Sequence, residues 1–153
     1  MEFDVVTALH LSGLALTGEA LRRLHAAGHP DLRISHGFVV QHLVEGPVRT
    51  GDLAARMGVT QQAASKAVAE LAALGYVDRT ADPAVGRVRR VGQSSRGRAA
   101  VATTRAVRAD IARELTAALG ADRVEAARRA ALDALEWAGG AEAARTRRVP
   151  APR

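Results

Sequence analysis

Between Thr50 and Gly75 the chain changes phase around a single glycine. Thr50-Gly51-Asp52-Leu53-Ala54-Ala55-Arg56-Met57 has helical spacing, Gly58 interrupts it, and Thr60 to Leu74 resumes it. This is the pattern of two short helices joined by a tight turn. Thr50 is expected to N-cap the first, with Asp52 favouring the helix dipole from its first turn. Val59 is expected to plug the space between the helices. Thr60 caps the second helix, and Gly75 stops it. Directly behind, the period falls to two in Tyr76-Val77-Asp78-Arg79-Thr80 and again in Arg87-Val88-Arg89-Arg90-Val91. The turn-rich connector Ala81 to Gly86 makes these two runs a β-hairpin.

Helical segments flank this centre. From Asp4 to about Ala27 the residues favour helix, with Gly13 and Gly18 allowing a kink or a loose start. Gly28-His29-Pro30 is a stop. A second helix is expected from about Ser35 to Val44, ended by Glu45-Gly46-Pro47, and Val48-Arg49 is a short extended link. Ser94 caps a long helix to about Leu119. Gly120 breaks it, and Asp122 caps a last helix through Trp137. Gly139-Gly140 is expected to end the ordered chain, with residues 141–153 as a tail. Apolar residues make up 48% of the 153, but aromatics only 3%. A core of Ala, Leu and Val suits packed helices, so the expected fold is mainly α with one small β-hairpin.

On a helical wheel of about 100° per residue, Ala64, Ala67, Val68, Leu71 and Leu74 cluster on one side of the second helix. Gln62, Ser65, Lys66 and Ala69 fall opposite, with Gln61 at the edge and Glu70 further along. Gln can pair with adenine at two points, Ser can bond base edges or phosphate, and Lys can reach guanine or phosphate. The span Tyr76 to Arg98 carries six arginines (Arg79, Arg87, Arg89, Arg90, Arg96, Arg98) against Asp78 and Asp82, a local excess of four positive charges. An arginine at a hairpin tip can enter the narrow minor groove, where the potential is most negative. A rod that fits the major groove beside a basic arm is the equipment of a DNA reader. The whole chain, at +6, is a weaker argument for a polyanionic partner than where that charge lies.

Other chemistry finds little support. There is no cysteine, which excludes disulfides and thiolate sites. No apolar run approaches the ~18 residues of a membrane span, and the acidic start Met1-Glu2-Phe3-Asp4 lacks a secretion signal's basic region; a soluble cytoplasmic protein is expected. His25 and His29 have the spacing of two metal ligands on one helical face, but Gly28 and Pro30 break the helix there, so no metal is expected. There is no nucleophile elbow, glycine-rich phosphate loop or HExxH pattern, so neither an enzyme nor a cofactor is expected. The alternative is a dimer of this chain that binds proteins rather than specific DNA.

In order, these elements resemble the MarR family of winged helix-turn-helix transcription regulators. The motifs that carry the resemblance are Gly51-Asp52-Leu53-Ala54-Ala55-Arg56-Met57-Gly58-Val59, Val68-Ala69-Glu70-Leu71-Ala72-Ala73-Leu74-Gly75-Tyr76-Val77-Asp78-Arg79, and Gly86-Arg87, followed by Ser94 through Gly97 at the start of the long helix. The resemblance implies a homodimeric repressor of a pseudo-palindromic operator, released by a small aromatic or phenolic ligand. Residues 1–32 would be an N-terminal dimerisation helix, 33–98 the DNA-binding domain, and 99–140 the C-terminal dimerisation helices. Gln61, Gln62, Ser65 and Lys66 would read the major groove, while Thr50, Thr60 and Arg79 would hold the backbone. Arg87, Arg89 and Arg90 of the wing would enter the minor groove, and His36, Val40 and His42 would line the ligand pocket. One departure stands out: Val85-Gly86-Arg87 keeps the wing arginine but lacks the acidic neighbour common in the family.

Overall fold

The computed structural model describes residues 2–81 and 89–145, and they fall into two compact units. One is built on Met1–Pro30 and Ala102–Ala141, the other on Asp31–Val101 with the described part of Glu142–Arg153. The helix α5 (Ser95–Leu119) begins in the second and continues into the first.

The first unit opens with α1 (Val5–Ala26), which is continuous through Gly13 and Gly18. Its start is well capped: the Asp4 carboxylate accepts the Val6 and Thr7 amides at 2.9 and 3.0 Å. The same carboxylate accepts the Thr7 hydroxyl at 2.6 Å, and these hydrogen bonds hold the Asp4 carboxyl below its ordinary range. Arg23 ties α1 to α5 through a bidentate pair with Glu114, both bonds at 2.6 Å. The helix α6 (Ala121–Trp137) follows Gly120. Gly120 is its N-cap and makes no side-chain cap bond, so Asp122 lies inside the first turn instead of capping it. Beyond Gly140 the chain forms a further short helix, α7 (Ala141–Arg145), where the sequence predicts the end of order.

Much of this unit's apolar surface is uncovered. Val5 and Val6 of α1 are 71% and 73% exposed and Trp137 of α6 is 90% exposed, with Leu9, Leu14, Leu16, Leu132 and Leu135 also exposed. The core of the second unit, by contrast, is closed. Val39, Leu43, Leu53, Ala64, Val68, Leu71, Tyr76, Val77 and Val91 are all buried.

The second unit starts with α2 (Ile34–Val40), shorter than predicted because the chain tightens into a 3₁₀ turn at Gln41–Leu43. Then come β1 (Val48–Arg49), α3 (Thr50–Met57), α4 (Gln61–Ala73), β2 (Val77–Ala81) and β3 (Arg89–Gln93). The strands form one antiparallel sheet in the order β1-β3-β2. The hairpin was expected. The pairing of Val48 with Val91 and Arg49 with Arg90 was not, because two extended residues carry no period of their own.

Candidate nucleic-acid interface

Gly58 closes α3 in the left-handed region at φ 67°, where a side chain would be strained. Its amide bonds Ala55 and the Val59 amide bonds Ala54, so the chain reverses within the last turn of α3. Val59 is 36% exposed, so it does not plug the space between α3 and α4. Thr50 is not the cap of α3 either. Arg49 takes the N-cap position without a side-chain bond, because β1 pairs up to Arg49 and leaves Thr50 as the first helical residue, half-buried. Thr60 caps α4 as predicted, its hydroxyl accepting the Ala63 amide at 3.2 Å.

The two sides of α4 are those the wheel predicts. Ala64, Val68 and Leu71 are fully buried; Gln61, Gln62, Ser65, Lys66 and Ala69 are exposed. A side chain at Gly51 would come within 3.5 Å of the Gln61 amide nitrogen, so the start of α3 and the start of α4 lie side by side. The Gln61 side chain thereby reaches the backbone next to Thr50. Ser65 and Lys66 continue the same exposed face one turn further.

The basic arm is more divided than its arginine count suggests. Arg79 on β2 turns its guanidinium to the Ser65 carbonyl of α4 at 3.4 Å. Arg90 on β3 pairs across the sheet with Thr80 on one side and Arg49 on the other, which puts the three on the face opposite Val91. It is half-buried, and its Nε has no hydrogen-bond partner among the described residues. Arg89 begins β3 opposite Ala81; its side chain, together with Val85, Gly86 and Arg87, lies outside the described residues.

Two of the six arginines belong to the scaffold. Arg96 stacks over the Tyr76 ring at 4.5 Å, donates to the Leu74 carbonyl at 2.8 Å, and pairs with Asp31 at 3.4 Å. It braces the C-terminal end of α4 against the start of the sheet. Arg98 donates to the Gln93 carbonyl at 2.9 Å. Beneath them Ser94 makes the joint: its hydroxyl donates to the Gly75 carbonyl at 2.6 Å and accepts the Gly97 amide at 3.0 Å.

The two histidines expected to line a ligand pocket are interior groups. His36 and His42 are buried and Val40 is half-buried. His36 sits between Arg33 and Glu70, and burial, followed by the Arg33 charge, lowers its pKa below the ordinary 6.5. Glu70 is ion-paired to Arg33, so the acid on α4 is already neutralised. Sequence reasoning missed the Arg33 and Arg96 partnerships, which join residues far apart in the chain.

Residues 31–88 match the MarR family model, and no curated protein matches the chain. Rv1404 from Mycobacterium tuberculosis superposes with a TM-score of 0.76 at 22% identity, covering 92% of this chain and 97% of that one. YusO from Bacillus subtilis gives 0.70 at 19% identity, covering 87% and 93%. A mutant of Staphylococcus aureus MepR bound to an oligodeoxyribonucleotide gives 0.64 at 16% identity, covering 88% and 98%. MepR is a transcription regulator of the multidrug efflux pump MepA. At these identities the likeness is one of fold: helices around a three-stranded wing in winged helix-turn-helix order. Among the described residues no helix is long and apolar enough to cross a membrane.

Proposed function

We propose that this chain, whose residues 31–88 match the MarR family model, is a sequence-specific DNA-binding regulator of that family, acting as a homodimeric repressor. The observation that carries this reading is the outer face of α4. Gln61, Gln62 and Ser65 are exposed, uncharged and hydrogen-bonding, Lys66 adds one cation, and the acid Glu70 is held by Arg33. Such a face can approach the groove floor closely and still discriminate base edges. Thr50 and Thr60 at the helix starts, with Arg79, would bind phosphates; Arg87, Arg89 and Arg90 would serve the minor groove.

The large apolar side chains left open on α1 and α6 support a second copy as the partner, since burying them against it would remove them from water. A symmetric pair would present two α4 helices to half-sites about one helical turn, ~34 Å, apart. A small effector would act near α2, at His36, Val40 and His42. It would release DNA if it favours a dimer whose reading helices are wrongly spaced, so effector and DNA affinities oppose each other.

Selection of genomic fragments with the purified protein tests the reading. A shared inverted-repeat motif, bound more tightly than random duplex at equal salt, is expected. Equal binding to every fragment would refute it. A small-molecule screen for release from the selected motif then tests the effector.

A further inference from the structure

Glu70 is the only acid on α4, and although exposed it is held by a basic partner. Its Oε1 is ion-paired with the Arg33 guanidinium, and its Oε2 lies 3.7 Å from His36 Nε2. Arg33 immediately precedes α2, and its backbone N–H donates to His36 Nδ1 at 3.2 Å. The Arg33 guanidinium also stands 3.3 Å from His36 Nε2. The imidazole at the centre is only 3% exposed.

We infer that Arg33, His36 and Glu70 form a clasp that positions the reading helix α4 against α2, and that protonation of His36 opens it. This rests on the proposed role of α4 in reading DNA. Because Nδ1 accepts the Arg33 N–H, the neutral ring carries its proton on Nε2, which faces both the Glu70 carboxylate at 3.7 Å and the Arg33 guanidinium at 3.3 Å. A second proton must go on Nδ1, where it meets the Arg33 N–H, donor against donor. One of the two bonds between Arg33 and His36 that fix the start of α2 is lost; the His36 amide still donates to the Arg33 carbonyl at 3.0 Å. The new imidazolium also stands beside a guanidinium, and the one carboxylate between them is already shared.

The other elements packed on α2 add little. From α3, Asp52 and Arg56 make no polar contact with the ring among the described residues; Lys66 lies one turn before Glu70 on α4; the 3₁₀ turn adds His42, itself buried. Burial and the Arg33 charge both oppose charging His36. The closed clasp therefore binds the proton more weakly than the open one, and acid favours the open form. The clasp holds in full above the ordinary histidine range of about 6.5 and weakens as pH falls below it.

The test compares the wild-type protein with His36→Asn, whose side-chain carbonyl can accept the Arg33 N–H but does not titrate. Affinities for the selected operator and for random duplex are measured at about pH 7.5 and about pH 5.5, at fixed ionic strength. Wild type should lose operator affinity on acidification about fivefold or more beyond its loss on random duplex. His36→Asn should show no such excess. In DNA-free protein, the Arg33 amide resonance should titrate together with the His36 ring in wild type and stay flat in His36→Asn. If His36→Asn does not fold, Glu70→Gln takes its place: loss of the carboxylate should move the break to lower pH. Identical pH profiles for wild type and variant, or an Arg33 amide that ignores the ring titration, overturn the clasp. If no operator is found, the DNA reading fails while the amide titration still decides the clasp.

Discussion

Gly97→Ala sets two physical effects against each other. Gly97 lies in the first turn of α5, where alanine has the higher helix propensity by about 1 kcal/mol, so local reasoning predicts stabilisation. The tertiary structure predicts the opposite. A Cβ at Gly97 would stand 2.1 Å from the Tyr76 carbonyl oxygen and 3.2 Å from its carbon. Neither neighbour is a flexible tip. The Tyr76 carbonyl accepts the Ser94 amide at 3.2 Å, and Ser94 in turn holds Gly75 and Gly97. Relief requires opening the joint by about 1 Å, an overpacking cost of roughly 1–3 kcal/mol, occasionally more. Loosening the Ser94 hydrogen bonds adds about 1 kcal/mol. After the propensity gain, a net loss of roughly 1–3 kcal/mol is expected, which for a chain of this size lowers Tm by about 2–12 °C. Thermal unfolding followed by circular dichroism measures it, with Gly37→Ala as control. Gly37 lies in α2, and nothing stands within 4 Å of an added Cβ. That variant should be neutral or slightly stabilising. If Gly97→Ala unfolds at or above the wild-type temperature, the joint is not rigid and the reasoning fails.

Arg96→Ala should cost roughly 1–2 kcal/mol through the lost carbonyl bond and ring stacking, yet leave the salt dependence of DNA binding unchanged; a shallower salt slope would mean Arg96 contacts phosphate. Arg87→Ala should weaken binding and reduce that slope by about one, and an unchanged slope would remove the wing arginine from the interface. Gln62→Ala should relax preference at one base pair by about 1–3 kcal/mol, whereas equal loss on operator and random duplex would assign it to the backbone. Val6→Glu with Leu16→Glu should give a monomer in sedimentation analysis, and a persisting dimer would put the subunit contact elsewhere.

How far the sequence was legible depended on the range of the interaction. The two faces of α4 were legible because a helix repeats every 3.6 residues and the core takes one side of it. Thr60 and Ser94 were legible as caps because capping is local. Thr50, Val59 and Asp122 were misread: a strand pairing ahead of α3, an exposed turn and a glycine N-cap replaced the expected local roles. The arginines were the hardest to sort, since a guanidinium looks the same in sequence whether it meets phosphate or a carbonyl.

The order of elements, the turn at Gly58 and the outer face of α4 therefore follow from local chemistry that the chain carries in itself. Which charges are committed to the scaffold was decided only by tertiary structure. Arg96 is spent on Leu74, 22 residues away, and on Asp31, 65 residues away. Glu70 is neutralised by Arg33, and His36 is buried between them. Such partnerships bring distant residues together in space, and no periodicity in the chain encodes that proximity.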